Sequence, residues 1–320
     1  MLNYLITRSY NTLLISKYRT ELMGLATIMI LLCHAKPNGV ILPDIILKLM
    51  GLGQYGVNIF FFLSGFGIYR SLQNHSSLVL WYRKRFLRLF VPYLLITIPI
   101  LILSNEKYSF INIVSRITTI GYWFGVENVS WFIAAIIPFY LLSPILKNLL
   151  DNITKYRFII LVVLWIGSSL ICSHLFYYED SLTIKHFIQT LLSFPSFILG
   201  MWISPYIREN GILFSGLIKT IILFVFLFFL EYSLTGVKSY WLVILLCLWF
   251  ICSIIKFLPQ ICNLLTFLGN ISLESYLLNT SLPLIFKGNG NLYYLTIIIG
   301  GVVFSALINK LSNLLISKMQ

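Results

Sequence analysis

The sequence contains few charged residues. Asp, Glu, Lys and Arg together make up 10% of its 320 residues, whereas soluble globular domains average about 25%. Cysteine is also scarce, with five in the whole chain, and this excludes a small domain held together by disulfides. Hydrophobic residues make up 59%, which excludes an intrinsically disordered chain. Together with a mean hydropathy of +0.91, these features indicate a protein that crosses a membrane many times.

Charge-free segments locate the predicted crossings. Four reach the roughly 20 apolar residues that a spanning helix needs, namely residues 49–69, 158–178, 186–207 and 288–309. Their hydrophobic runs are continuous rather than alternating, which favours helices over a barrel. We therefore predict an all-α integral membrane protein, a bundle of about ten transmembrane helices that forms one domain over residues 1–320. The predicted spans are 22–35, 54–69, 86–103, 131–146, 158–172, 187–203, 216–230, 241–255, 264–283 and 292–314.

The distribution of Lys and Arg predicts the orientation, because these residues are retained on the cytoplasmic side of short connections. Placing the N-terminus inside leaves most of the 23 basic residues on that side, so both termini are predicted to be cytoplasmic. The formal net charge of +13 then reflects topology and contact with anionic lipid, and no nucleic-acid partner is expected. The charged residues expected outside are Lys36, Asp44, Lys48, Glu106, Lys107, Arg116, Glu127, Glu179, Asp180, Lys185, Glu231, Lys238 and Lys287.

The cysteines give no sign of a metal site. They lack metal-ligand spacing and lie within or beside apolar runs, so we interpret them as packing residues. Cys33 adjoins His34, but consecutive positions of a helix point in different directions. No zinc, P-loop or dinucleotide-binding fingerprint is present, and no metal is expected. The five are Cys33, Cys172, Cys247, Cys252 and Cys262.

His34 is the leading polar candidate within a predicted span. Polar groups are costly in hydrocarbon and tend to mark chemistry there, and imidazole accepts a proton near neutral pH. One interpretation is a general base that activates a hydroxyl. The alternative is a histidine that caps the outer end of the first span, just before the sequence Lys36, Pro37, Asn38, Gly39.

A basic segment precedes the third span. Arg85 and Arg88 share a helix face, and Arg83 lies just before them. Positive charge at a cytoplasmic helix end fixes topology, but three guanidinium groups exceed that need and suit phosphate binding. In the second span, Gly56, Ser64, Gly65 and Gly67 permit close approach of neighbouring helices.

Five segments together resemble acyltransferase family 3, membrane proteins that move acyl groups, usually acetyl, onto surface polysaccharides and related glycans. They are residues 23–34, which end in His34, 56–66, 83–93, Trp131 with 139–144, and 268–278. Four positions depart from the common family pattern. Met23 stands in place of arginine, Asn58 of aspartate, Ile136 of glutamate and Asn279 of histidine.

The resemblance and the residues lead to one expected mechanism. Acetyl-CoA, the expected acyl donor, enters from the cytoplasm with its phosphates against Arg83, Arg85 and Arg88, and His34 acts as general base toward a glycan hydroxyl. The expected supporting residues are Arg19, Glu21, Asn58, Ser64, Trp131, Tyr140 and Glu274. Arg19, Asn58 and Ser64 are candidates for holding the oxyanion, and Glu274 either orients a partner or pairs with a basic group between helices.

The expected location is the cytoplasmic (inner) membrane of a bacterium, as a multi-pass protein in the lipid bilayer. Its expected ligands are an acyl-CoA and a glycan acceptor. Two other functions stay open at this stage. Several helices with intramembrane charges also suit a transporter that exports a glycan or a small acid. The departures from the family pattern also suit a non-catalytic partner in polysaccharide assembly.

Overall fold

The structure is a computed structural model that describes residues 13–74, 77–104, 108–126, 131–152, 156–178, 181–209, 214–237, 248, 251–252, 254–255 and 257–319, and most of these residues are helical. No strand occurs within these ranges. The α-helices are α1 (Leu13–Lys17), α2 (Arg19–Cys33), α3 (Asp44–Gly51), α4 (Gly56–Gln73), α5 (Leu78–Leu103), α6 (Phe110–Ile117), α7 (Ile120–Trp123), α8 (Trp131–Asn152), α9 (Arg157–Leu175), α10 (Leu182–Glu209), α11 (Phe214–Thr235), α12 (Pro259–Asn270), α13 (Ser272–Ile285) and α14 (Asn291–Met319).

Six helical segments of the described chain are long and apolar enough to cross a membrane. A bent pair, α12 and α13, makes up to seven. The helix α2 has 15 residues, fewer than the roughly 17 of the shortest full crossings. Most of the predicted span 241–255 lies outside the described residues. The all-helical membrane fold is thus confirmed, and the number of ten spans stays a prediction. The six segments are Asp44–Gln73, Leu78–Leu103, Trp131–Asn152, Arg157–Tyr178, Leu182–Pro205 and Asn291–Met319.

The predicted span 264–283 is not one straight helix. Its two halves, α12 and α13, meet at an angle of 68°, and the break falls at Ile271. Gly269 and Asn270 end the first half, and Ser272 begins the second. Glycine, asparagine and serine all weaken a helix interior, which accounts for a bend that hydrophobic length alone does not reveal.

The last helix, α14, has the polarity of a membrane helix. Its buried face includes small and polar residues such as Gly301, Ser305 and Ser312. Its exposed face is apolar and repeats every three or four positions, as a helix facing lipid requires. The exposed apolar residues include Leu292, Leu295, Ile299, Val303, Leu307, Leu311 and Leu314.

Two compact units make up the chain. The first combines residues 1–22, 58–74 and 136–263, and the second combines residues 23–57, 75–135 and 264–320. In the first unit, α9 packs against α10 and α11. In the second, α5, α13 and α14 pack against one another.

Glycines bring α4 and α10 into backbone contact within the first unit. A Cβ on Gly65 would lie 2.1 Å from the carbonyl oxygen of Phe197, and one on Gly200 would lie 2.0 Å from that of Phe62. Real Cβ atoms do not approach oxygen this closely, so neither position accepts a side chain without separating the helices. The close approach predicted for the second span is confirmed at Gly65.

Candidate functional site

The C-terminal end of α2 is fixed by close packing within the second unit. A Cβ on Gly24 would lie 2.0 Å from the carbonyl oxygen of Leu265, and one on Gly53 would lie 1.9 Å from that of Met29. The backbone of α2 therefore touches α12 on one side and the 3₁₀ turn Leu52–Tyr55 on the other. These contacts fix the position of α2 within the second unit, and with it the position of the residues that follow, beginning with His34.

His34 lies one residue beyond the last residue of α2, at the start of a turn. The side-chain amide of Asn38 donates a 2.8 Å hydrogen bond to the carbonyl of His34, so Asn38 caps the helix end. Gly39 has a φ of +72°, a conformation that glycine adopts without strain. The Asn38 side chain thus caps this helix end. The His34 imidazole also has a hydrogen-bond contact with the backbone of Ile30, in the last turn of α2, so the capping interpretation of His34 stays open.

The turn after His34 is tied to the segment before α14. The backbone N–H of Gly290 donates to the carbonyl of Asn38 at 3.0 Å. The N–H of Ile41 donates to Oδ1 of Asn291 at 2.7 Å, and Nδ2 of Asn291 donates to the carbonyl of Ile41 at 3.2 Å. Both sides of the turn are thereby held, which limits the positions open to the imidazole.

The imidazole of His34 meets α13 at Asn279. Nδ1 of His34 lies 2.8 Å from Nδ2 of Asn279. On the other side of that amide, the Tyr294 hydroxyl lies 3.3 Å from Oδ1 of Asn279 and donates to the carbonyl of Leu31. Asn279 and Tyr294 are only 2% and 3% exposed, so these contacts are made away from solvent. The chain folds back over 245 positions to place Asn279 beside His34.

The ring of His34 has two contacts, with the side-chain amide of Asn279 through Nδ1 and with the backbone of Ile30. Nε2 lies across the ring from Asn279, because Nδ1 takes part in the contact with that amide. His34 itself is only partly buried. A histidine whose ring is oriented through one nitrogen can act as a base through the other.

The three predicted phosphate-binding arginines all lie on α5, in the second unit. Arg83 and Arg88 are exposed, and Arg85 is partly buried. One guanidinium nitrogen of Arg83 donates at 2.5 Å to the carbonyl of Met319, at the end of α14. Arg85 lies over the buried ring of Trp81, 5.8 Å from its centroid. Arg83 thus contacts the C-terminal helix α14, whereas Arg88 is exposed.

Trp131 begins α8 and belongs to an aromatic cluster beside α13. Its ring meets that of Phe132 edge-on at 6.4 Å, and Phe132 meets Tyr276 in the same manner at 5.5 Å. Tyr276 lies one helical turn before Asn279 on α13. The cluster therefore supports the helix that carries the partner of His34.

Glu274 has an amide as its partner, not a basic group. Nδ2 of Asn309 donates at 3.0 Å to Oε1 of Glu274 and at 3.0 Å to the carbonyl of Asn270. Asn270 is the last residue of α12, so Asn309 satisfies a carbonyl that the break leaves without a helical donor. Glu274 is 3% exposed, and its contact with Asn309 ties α14 to the start of α13.

Comparison with known families identifies the chain. A family model described as an acyltransferase domain, that of acyltransferase family 3, matches residues 22–310, nearly the whole length. The chain belongs to acyltransferase family 3. No curated protein and no solved structure gives a significant match.

Membership of acyltransferase family 3 and the apolar helices together make the chain a multi-pass membrane acyltransferase. Within the described residues, no three His, Cys, Asp or Glu side chains gather in a metal-binding arrangement.

Three predicted residues of this acyltransferase domain lie along α4 and its neighbours in the first unit. Arg19 donates from Nε to the carbonyl of Leu63 at 3.2 Å, so its guanidinium is brought against the residue that precedes Ser64. Ser64 is 9% exposed. Asn58 donates from Nδ2 to the hydroxyl of Ser196 at 3.4 Å. Arg19 of α2 therefore contacts α4 at the residue before Ser64, and Asn58 of α4 contacts α10.

Glu21 and Tyr140 also lie in the first unit of the acyltransferase domain. The thiol of Cys262 donates to Oε1 of Glu21 at 3.4 Å. Both Glu21 and Tyr140 are partly buried. The predicted site residues are thus distributed between the units: His34, Arg83, Arg85, Arg88, Trp131 and Glu274 in the second, and Arg19, Glu21, Asn58, Ser64 and Tyr140 in the first.

One buried acid of this acyltransferase was misplaced from the sequence. Glu231 was expected beyond the end of the predicted span 216–230, on the outer side; instead, α11 continues to Thr235 and Glu231 is 1% exposed, so it is a buried helix residue. Its Oε1 accepts a 2.5 Å hydrogen bond from the hydroxyl of Ser169 on α9. The apolar run ends one residue earlier, at Leu230. Hydropathy alone therefore placed Glu231 in the segment that follows the predicted helix. Tyr294, which contacts Asn279, was not singled out either.

Proposed function

We propose that this acyltransferase moves an acetyl group from acetyl-CoA to a hydroxyl of a surface or exported polysaccharide, in the cytoplasmic membrane of a bacterium. Family membership supports acyl transfer, for which polysaccharides are the typical acceptors. The observation that carries the proposal is the imidazole of His34, held through Nδ1 by Asn279 at the end of α2. A hydroxyl is a weak nucleophile, so a positioned base is the group that such a transfer needs.

In the proposed reaction, the acceptor hydroxyl lies against Nε2 of His34. The nitrogen takes the hydroxyl proton as the oxygen attacks the acyl carbonyl carbon. The C–S bond of the thioester then breaks, and the imidazolium gives the proton to the departing CoA thiolate, so the products are the acetyl ester and free CoA. His34 is the catalytic residue of this scheme, and it cycles between its neutral and protonated forms.

Donor binding is proposed at the basic end of α5. Phosphate groups suit guanidinium forks, which bind two oxygens at once. Arg85 and Arg88 are one helical turn apart, and Arg88 is exposed. Arg83 already donates one N–H to the carbonyl of Met319. It therefore adds positive charge to this region but has fewer N–H groups left for a phosphate.

The proposal is tested by the acyl content of the surface polysaccharide. Deletion of the gene is expected to remove O-acetyl esters while the amount of polymer stays unchanged, and restoration of the gene returns them. Loss of the polymer itself would instead indicate an exporter. In detergent, purified protein is expected to transfer labelled acetyl from acetyl-CoA to the de-esterified polysaccharide, which a non-catalytic partner does not do.

A further inference from the structure

The hydroxyl of Tyr294 faces two oxygen atoms but carries one hydrogen. It donates to the carbonyl of Leu31, and it also lies 3.3 Å from Oδ1 of Asn279. When the hydrogen points to Leu31, Oδ1 of Asn279 has no donor on that side. Both residues are almost fully buried, and a buried acceptor without a donor is unfavourable.

A half-turn of the Asn279 amide removes this conflict. The oxygen and the nitrogen exchange places without a change in volume. Nδ2 then donates to the Tyr294 hydroxyl oxygen, which still donates to Leu31. Oδ1 now faces Nδ1 of His34 and accepts a hydrogen from it. Each hydrogen bond in the series from His34 through Asn279 and Tyr294 to the carbonyl of Leu31 then has one donor and one acceptor.

The two amide orientations select different forms of His34. With the amide nitrogen toward His34, Nδ1 must be the acceptor, so the ring hydrogen lies on Nε2. With the amide oxygen toward His34, the hydrogen lies on Nδ1 and Nε2 carries the lone pair. Only the second form leaves a proton-accepting nitrogen on the side of the ring away from Asn279.

We propose that Asn279, held by Tyr294, is a positioning residue that keeps the neutral His34 protonated at Nδ1 and leaves Nε2 free to take the proton of the acceptor hydroxyl. This inference rests on the proposed function, in which His34 is the base. When Nε2 takes the proton, the ring becomes positively charged, and the hydrogen bond from Nδ1 to Oδ1 of Asn279 becomes charge-assisted and stronger. The amide therefore also stabilises the state formed during the reaction.

The form of His34 can be read directly by NMR of protein labelled with ¹⁵N-histidine. Ring nitrogens with and without hydrogen resonate in separate regions, and the His34 signals are those missing from the His34→Gln spectrum. We expect Nδ1 of His34 to be the hydrogen-bearing nitrogen in the wild type. A hydrogen on Nε2 at neutral pH would overturn the inference.

Variants of the two supporting residues test the assignment through activity. Asn279→Asp keeps an acceptor toward Nδ1 and is expected to keep the Nδ1 form and a rate within a few-fold of wild type. Asn279→Leu and Tyr294→Phe are expected to give mixed forms of His34 and to lower kcat about tenfold, with CoA affinity unchanged. Tyr293→Phe is the matched control, since Tyr293 adjoins Tyr294 on α14 but donates to the carbonyl of Phe286 at 2.6 Å.

Failure of this inference is separable from failure of the proposed function. If His34→Gln is inactive but Asn279→Leu keeps both the Nδ1 form and full kcat, His34 is the base and Asn279 does not position it. If His34→Gln remains active, the base itself is wrong, whatever form His34 adopts. A lower kcat with an unchanged Nδ1 form in both Asn279→Leu and Tyr294→Phe would also contradict the inference, because it would indicate a purely structural effect.

Discussion

The guanidinium of Arg19 lies against Gly67, at a point where an added Cβ would be 2.8 Å from Nη2. The absence of a side chain at Gly67 gives Arg19 access to α4, where its Nε donates to the carbonyl of Leu63. The positive charge near Ser64 therefore depends on a glycine one helical turn away. Gly65, two residues earlier, meets the backbone of Phe197 instead.

We predict a graded effect of alanine at three helical glycines. Gly65→Ala is expected to destabilise most, by about 1–3 kcal/mol, because the Phe197 carbonyl belongs to a helix backbone that cannot move alone. Gly67→Ala is expected to reduce stability less than Gly65→Ala, because the end of the Arg19 side chain can move away from the added methyl group. Gly167→Ala is the control, because nothing lies within 4 Å of its added Cβ. Melting temperatures in detergent give the order, and equal values for Gly65→Ala and Gly167→Ala would contradict the close contact of α4 and α10.

The arginines of α5 are expected to act as phosphate-binding forks. Arg85→Lys and Arg88→Lys keep the positive charge needed for topology but lose the paired donors. Each is expected to weaken CoA binding about tenfold, equivalent to about 1.4 kcal/mol, without loss of membrane insertion. Lys84→Gln is the matched control at the same helix end and is expected to bind CoA normally. Unchanged affinity in both arginine variants would leave the segment as a topological anchor only.

The distribution of basic residues predicts which helix ends lie together on the cytoplasmic side of the membrane. Contacts within the first unit bring three such ends together: Tyr69 near the end of α4 donates to Asp151 at 2.5 Å, and Arg157 at the start of α9 pairs with Asp151 at 2.7 Å. Reporter fusions after Arg70 and after Gln320 are expected to report the cytoplasm, and one near Glu179 the outside. An external C-terminus would reverse the proposed entry of the donor.

The contact between Glu274 and Asn309 is expected to be structural. Glu274→Gln keeps an acceptor for the Asn309 amide and should retain both melting temperature and acyl transfer. Asn309→Leu leaves the Asn270 carbonyl and Glu274 without this donor. It is expected to lower the free energy of unfolding by about 1–3 kcal/mol. Thr296→Val, at an exposed position of the same helix, serves as the control. A stable but inactive Glu274→Gln protein would instead give this carboxyl a chemical role.

The sequence predicts what depends on local pattern. Hydrophobic length predicts the helical membrane fold, and the glycine at position 65 predicts a close helix contact. His34 stands out because an imidazole in an apolar run is costly. These features depend on neighbours within a few helical turns, which a single sequence displays.

Features that depend on distant segments were not predictable in the same way. Asn279 lies 245 positions from His34, and no spacing rule relates two residues on separate helices. Glu231 was misplaced because hydropathy marks where an apolar run ends, whereas the partner that allows burial, Ser169, lies on another helix. The bend after Asn270 is stabilised by Asn309, which is 39 positions away.

His34 carries the central claim, and the rate of acyl transfer by His34→Gln tests it most directly. Glutamine keeps much of the size and hydrogen bonding of histidine but cannot take a proton at neutral pH. With membrane level and melting temperature matched to wild type, and with exposed His174→Gln as the control that keeps full activity, the rate is expected to fall about 10²- to 10⁴-fold. A His34→Gln protein that acylates its acceptor at nearly the wild-type rate would contradict the assignment of His34 as the base.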